Sequence, residues 1–374
     1  MPRPIQARIH ASALRHNLGH VRSVLANAPT PSKTMAVIKA NAYGHGIENA
    51  LSGLQSADGI ALLDLEEAAR AREAGWEKPI LLLEGPFEAA DLRAVRELGL
   101  TPVIHHEGQL DMIDAIGLGS FDVFLKMDTG MTRLGFTASN YEAAFARVEQ
   151  LRRSGKIGNV TYMTHFACAD LTDGLDEPLR EFVSMVGGRD GDWCFSNSAA
   201  CLKHAKRVGA LAQLHGHSLW SRPGICLYGG SPLRDQTASE LNLRPAMTLR
   251  SELISVKDVE AGQGVGYGHT FVADKPMRVG VVACGYADGY PRHAPTDTPV
   301  AVNGHMTRLI GRVSMDMITV DLSGVPDTDA AVGTEVVLWG QNGPSADAVA
   351  LAAGTISYEL LSGVTARVPR ELVP

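Results

Sequence analysis

GIALLDLEEAARAREAGWEKPILLLEGPFEAADLRAVRELGLTPVI, residues 59–104, reads as three short apolar runs separated by two helical ones. GIALL (59–63), PILLL (79–83) and PVI (102–104) are continuously apolar, as strands buried on both faces are. DLEEAARAREAG (64–75) and EAADLRAVRELG (88–99) carry helix-forming residues at helical spacing. Asp64 and Leu65 followed by Glu67 resemble a helix start, and Gly75 and Gly99 suit helix stops. Such alternation is the βα repeat of a parallel sheet. It extends outward in both directions: MAVI (35–38) comes before, and FDVFLK (121–126), VTYMTHF (160–166), WCF (193–195) and ICLYG (225–229) come after. Eight runs in about 230 residues predict a (β/α)8 barrel, with a doubly wound sheet as the alternative.

The pattern changes after residue 232. RDQTASELNLRP (234–245) is polar and suits a crossing between domains. Beyond it lie alternating, Gly-rich segments: MTLRSELISV, MRVGVVACG, TPVAVNG, MTRLIGRVSMDMITVDL and TEVVLWG. Strand-like runs broken by turns predict a mostly β C-terminal domain. The expected division is an α/β barrel over 1–234 and a β domain over 235–374. Residues 1–10 are a candidate strand packing with the β domain.

The 374 residues are 45% hydrophobic and 20% charged, the composition of a globular protein with a large core. Net charge is −7, from 34 basic and 41 acidic residues, so the chain lacks the basic footprint of nucleic-acid binding. Five cysteines form no CxxC pair, which argues against a zinc site or a disulfide framework and for a reducing compartment. The first residues, MPRPIQARIHASALRHNL, show no apolar segment of a secretory signal. ILLL is far short of a membrane span. The expectation is a soluble cytoplasmic protein without metal.

AVIKANAYGHG (36–46) is the segment richest in chemistry. Lys39 ends an apolar strand where a Gly-containing loop begins, which in a βα barrel is the rim that carries active sites. Partial desolvation there lowers a lysine's pKa and frees the amine for Schiff-base chemistry. By position alone, a lysine leaving a strand for solvent is the favoured reading of Lys39.

The segment is very similar to the cofactor-lysine signature of alanine racemases. LKMDTGMTRLGF (125–136), THF (164–166), SNSAA (196–200) and RPGICLYG (222–229) resemble that family's barrel segments in order. VGYGHTF (265–271), GYADGYPR (285–292), GRVSMDM (311–317) and ISYELL (356–361) resemble its β-domain segments. The resemblance implies a barrel that binds pyridoxal 5'-phosphate (PLP), a β domain, and a head-to-tail homodimer with shared active sites. The implied activity is interconversion of L- and D-alanine by two bases acting on the substrate's PLP Schiff base. D-Alanine would then be supplied for peptidoglycan or degraded as a nutrient.

The resemblance also assigns residues. Lys39 would carry PLP and serve one face of the α-carbon. Tyr43, Ser198 and Tyr358, with the backbone N–H groups of Gly224 and Ile225, would hold its phosphate; for Gly224 a simple turn after Pro223 is the other reading. Arg222 would face the pyridine nitrogen, where a guanidinium donates hydrogen bonds but no proton and keeps the ring a poorer electron sink. Tyr267 would be the opposite base, reaching in from the partner subunit. A free phenol is a weak base at neutral pH, with a pKa near about 10, and a hydrogen-bond chain through His165 to Arg222 would support it. Without the resemblance, Arg222 reads as an ion-pairing arginine, Tyr267 as a turn tyrosine and His165 as a core histidine.

Arg133 and the Met315 N–H would bind the substrate carboxylate, and a carbamylated Lys126 would orient Arg133. Asp170, Tyr286, Arg292, Arg312 and Tyr358 would line a narrow entrance suited to alanine. One methylene changes pocket affinity by only ~1–3 kcal/mol, so activity on other small amino acids is compatible with it. Ser314 stands where relatives often carry cysteine. A PLP-barrel decarboxylase and a non-enzymatic PLP carrier are the alternatives, the first opposed by Arg222 in place of a carboxylate.

Overall fold

In the computed structural model, which describes residues 3–374, the chain opens with strand β1 (Gln6–His10) and the helix Ala11–Ala26. Eight strands then alternate with helices: β2 (Ser32–Val37), β3 (Gly59–Leu62), β4 (Ile80–Leu82), β5 (Leu100–Ile104), β6 (Phe121–Lys126), β7 (Ile157–Met163), β8 (Asp192–Ser196) and β9 (Leu219–Ser221). Each pairs in parallel with the next, and β2 closes on β9 through Ser32↔Leu219 and Thr34↔Ser221. The expected (β/α)8 barrel is therefore present, and the doubly wound sheet is not. Every residue of β3 and β4 is buried, which is why those strands read as unbroken apolar runs. The helix Leu65–Glu73 starts where Asp64 accepts hydrogen bonds from the Glu66 and Glu67 N–H groups. Gly75 follows it with φ +87°, a conformation that favours glycine.

One expected strand is corrected. ICLYG (225–229) is a 3-10 turn, Ile225–Tyr228, and the eighth barrel strand is the shorter Leu219–Ser221. Gly224 leads into the turn and Gly229, at φ +84°, ends it. Ile225, Cys226, Leu227 and Tyr228 are all buried. Their apolar run thus reflects a segment enclosed on all sides, which periodicity alone does not separate from a buried strand.

The remaining strands are β10 (Met247–Val259), β11 (Gly264–Val265), β12 (Phe271–Val272), β13 (Met277–Val282), β14 (Pro299–Val302), β15 (His305–Ile310), β16 (Ile318–Asp321), β17 (Glu335–Trp339) and β18 (Arg370–Val373). β10, β13, β16, β15, β14 and β17 pair in a ring, because β10 bonds to both β13 and β17. β1 extends this sheet, antiparallel to β10 (Ala7↔Leu249) and parallel to β18 (Ala7↔Arg370). Residues 1 and 2 of the candidate N-terminal strand lie outside the described residues. No helix among those described is long and apolar enough to cross a membrane.

Candidate active site

The C-terminal ends of the barrel strands converge on a cavity of about 800 Å³. Lys39 follows β2, Glu84 follows β4, Lys126 ends β6, His165 follows β7, Ser198 follows β8 and Arg222 follows β9; all six line the cavity. Tyr43, Arg133, Asp170, Gly224, Ile225 and Tyr358 line it as well.

Lys39 does not enter an ordinary loop. Ala40, Asn41 and Ala42 have φ/ψ of 55/53°, 51/48° and 54/54°, and Tyr43 has φ 51°. One left-handed helical turn of non-glycine residues costs roughly 1–2 kcal/mol per residue, so its surroundings must hold it. The His45 Nδ1–H donates to the carbonyls of Ala42 (3.0 Å) and Tyr43 (2.9 Å). Arg370 Nε, from β18, donates to Gly44 O at 2.6 Å. A Cβ at Gly44 would lie 2.0 Å from Leu361 O, so only glycine admits the β-domain helix Ser357–Ser362 so close. Tyr43 leaves the turn buried and stacked on Tyr228, with ring centroids 4.6 Å apart.

Four cations share the cavity: Lys39, Lys126, Arg133 and Arg222. Burial, then Arg133, hold the Lys39 pKa below the usual lysine value, with Glu84 opposing. Lys126, 6% exposed, is pushed down to about 8 by burial, Arg222 and Arg133. Buried Arg222 donates from Nη1 to Cys194 Sγ (2.8 Å) and from Nη2 to Thr164 O (2.9 Å). Its Nη2 also contacts His165 Nδ1 at 3.3 Å. A guanidinium nitrogen only donates, so Nδ1 accepts. Burial first, then Arg222, Lys126, Arg133 and Lys39 push His165 down to about 2. The imidazole is therefore neutral, and its proton sits on Nε2.

Ser198, Gly224, Tyr43 and Tyr358 come together at one side of the cavity. The Gly224 N–H donates to Ser198 Oγ at 2.8 Å, and Ser198 opens the helix Ser198–Lys203. A Cβ on Gly224 would meet Tyr43 Oη at 2.5 Å. Tyr358 lies beside Tyr43, ring centroids 6.0 Å apart. Asp170 stands at the mouth, paired with Arg234 at 3.1 Å.

Five sequence-marked residues lie outside this cavity. Tyr267, Tyr286, Arg292, Arg312 and Met315 are exposed on β-domain loops, Tyr267 at 71% and Met315 at 53%. Four of them sit on neighbouring loops: Tyr286 N donates to Ser314 O, Ala287 N donates to Met315 O, and the Arg312 guanidinium lies against Gly268. The cavity in turn holds residues that the sequence does not single out. Glu84 and His105 line it, with His105 Nε2 bonded to Glu84 O at 2.9 Å. Glu84 directly follows ILLL, the rim position that also marks Lys39 and Lys126. Cys194 and Thr164, beneath Arg222, carry no such signal.

Comparison with known proteins agrees over the whole chain. The model of the alanine racemase N-terminal domain matches residues 9–232, and that of the C-terminal domain matches residues 246–372. A protein named alanine racemase from Bordetella petrii is 55% identical over 377 residues, covering 99% of each chain. Its counterpart from Bordetella avium is 52% identical, again covering 99% of each. The crystal structure of the biosynthetic alanine racemase from Pseudomonas aeruginosa matches with a TM-score of 0.90 and 43% identity, covering 100% of both chains.

Proposed function

This chain belongs to the alanine racemase family and interconverts L- and D-alanine; on that premise, we propose that its barrel mouth binds PLP and that two copies share each site. The observation that carries the cofactor reading is one cavity holding a lysine amine of lowered pKa, a cradle with no room for a Cβ, and a buried arginine without a carboxylate. Lys39 would hold the cofactor covalently. Tyr43, Ser198, Tyr358 and the N–H groups of Gly224 and Ile225 would hold its phosphate, and Arg222 its ring nitrogen. When bound, PLP supplies an electron sink that acidifies the substrate's α-carbon proton.

The residues of the chain do the rest. Lys39, whose amine burial keeps readily neutral, takes or returns the proton on one face. Tyr267, exposed and not among the residues that line its own chain's cavity, would serve the other face from a second copy. Met315, Tyr286, Arg292 and Arg312 would arrive with it and, with Asp170 and Tyr358, narrow the entrance. His165 offers its Nε2–H to the phenol oxygen and rests on Arg222 through Nδ1. Arg133 takes the substrate carboxylate. Lys126, pushed down to about 8, would offer more of the neutral amine that carbamylation requires than an ordinary lysine does. The two domains would run over 1–234 and 235–374, and the free cysteines fit a cytoplasmic protein. Family membership along the whole chain leaves the decarboxylase and carrier readings without support.

Mixing Lys39→Ala and Tyr267→Ala subunits tests the reading. Each variant is expected to be inactive alone, and the mixture to regain activity, because one site in the mixed dimer keeps both bases. Failure of rescue in verified heterodimers would refute the shared site. Wild-type racemisation by Lys39→Ala would refute the cofactor assignment.

A further inference from the structure

Glu67 has the position of a capping-box residue, third in a helix whose cap is Asp64. A capping-box glutamate returns to the N–H of its own cap. Glu67 instead leaves the helix, and its Oε1 accepts the backbone N–H of Asn41 at 2.5 Å, in the middle of the left-handed turn. Its Oε2 is buried with no partner. The Asn41 side chain is fixed too: Oδ1 accepts from Ile47 N at 3.3 Å and from Arg70 Nη1 at 3.2 Å. Arg70 is held in turn by a two-point pair with Glu48, 2.9 and 2.7 Å.

We infer that Glu67 is a positioning residue for racemisation, clamping the left-handed turn that aims Lys39 and Tyr43 into the cavity. Glu67 does not line the cavity, so it acts through the turn and not on substrate. An apolar residue there would pack in the barrel's helical layer and strand no buried oxygen. A carboxyl that leaves one oxygen unpaired weakens the fold locally, and such local inconsistencies are expected where function requires them. The bond it makes bears on the strained backbone itself. Relaxation of Asn41 toward right-handed φ would turn its N–H away, so the charge-assisted bond counts directly against relaxation. The inference rests on Lys39 and Tyr43 being the cofactor residues.

Three variants separate reach from charge. Glu67→Gln keeps length and an acceptor oxygen, Glu67→Asp keeps charge but falls a methylene short, and Glu67→Leu has neither. Amide hydrogen exchange of the peptide covering 38–46 is measured in the full chain, with and without PLP, beside kcat and KM for L-alanine. Glu67→Gln, which keeps a neutral bond of about half the strength, should exchange about threefold faster, between wild type and the other two variants. Glu67→Asp and Glu67→Leu should exchange about tenfold faster or more in that peptide alone, the effect of one lost charge-assisted hydrogen bond. Their kcat should fall by a similar factor, with KM nearly unchanged. Wild-type exchange in Glu67→Asp overturns the inference, as does faster exchange across all barrel peptides, which would mark an ordinary packing role. Should Glu67→Leu not fold, the Gln and Asp pair decides alone. The exchange measured without PLP does not depend on the cofactor reading, which Lys39→Ala tests separately.

Discussion

Replacing Gly224 by alanine adds one methyl group where the barrel mouth has no room for it. The new Cβ would lie 2.5 Å from Tyr43 Oη and 3.3 Å from Tyr43 Cζ. Ordinary contact requires the hydroxyl to withdraw by about 1 Å. Tyr43 cannot swing aside freely, because it is buried, stacked on Tyr228 at 4.6 Å and flanked by Tyr358 at 6.0 Å. Overpacking of this kind costs the fold ~1–3 kcal/mol. A hydroxyl displaced by about 1 Å also leaves hydrogen-bond range of the phosphate it would hold. A bond to a charged group is worth ~1.5–3 kcal/mol, so PLP should bind roughly 10- to 150-fold more weakly. Titrating the cofactor-free protein with PLP by absorbance or fluorescence reads this directly. Tyr43→Phe removes the clashing oxygen, so Gly224→Ala should cost little more once Tyr43 is phenylalanine. Wild-type PLP affinity in Gly224→Ala, or strictly additive losses in the double variant, would refute the cradle.

Lys126→Met should change how stability depends on pH. The folded pKa of Lys126, about 8, lies below the unfolded value of about 10.4, so its protonated form burdens the fold at low pH and the burden lifts as pH rises between them. In carbonate-free denaturant titrations the wild type should gain roughly 3 kcal/mol over that window relative to Lys126→Met, and parallel curves would contradict the assignment. His165→Leu removes the donor offered to the opposite base and should slow L-to-D turnover about 10- to 100-fold while PLP content stays full; equal slowing of PLP uptake would place His165 in the cofactor site instead. Asp288→Ala should lower the melting temperature. This fully buried carboxylate accepts from Gly285 N at 2.9 Å and pairs with Arg3 (3.1 Å) and Arg367 (2.9 Å), and since both arginines are partly exposed the loss is ~1–3 kcal/mol, read by calorimetry.

The barrel was legible because strands buried on both faces leave unbroken apolar runs, as in β3 and β4. The same rule misleads at ICLYG, where burial around a 3-10 turn produces the run and a three-residue strand, Leu219–Ser221, gives none. Rim position plus chemistry marks Lys39 and Lys126, while Glu84 has the position but only an ordinary carboxylate. Nothing in LysAlaAsnAlaTyr announces positive φ, apart from asparagine's tolerance and the glycines at 44 and 46. Glu67 shows the limit most clearly. Its spacing from Asp64 fits a helix start, and its bond to Asn41 is set by barrel closure, which brings neighbouring βα loops together over 26 residues of sequence.

On the proposed reading, with Lys39 and a partner's tyrosine as the two bases, the cavity's charge would bear on both. Burial and the neighbouring guanidinium at Arg133 make the ammonium form of Lys39 costly, which favours the neutral amine that accepts a proton. The same positive potential favours an anion at the mouth. His165 connects the two effects. With Nδ1 committed to Arg222 and its basicity suppressed by the surrounding cations, the ring has no use for a second proton and can only donate from Nε2. A histidine of ordinary pKa there would take the phenol's proton at mildly acidic pH and become one more cation. Arg222, donating to Cys194 and Thr164 as well, would anchor the chain.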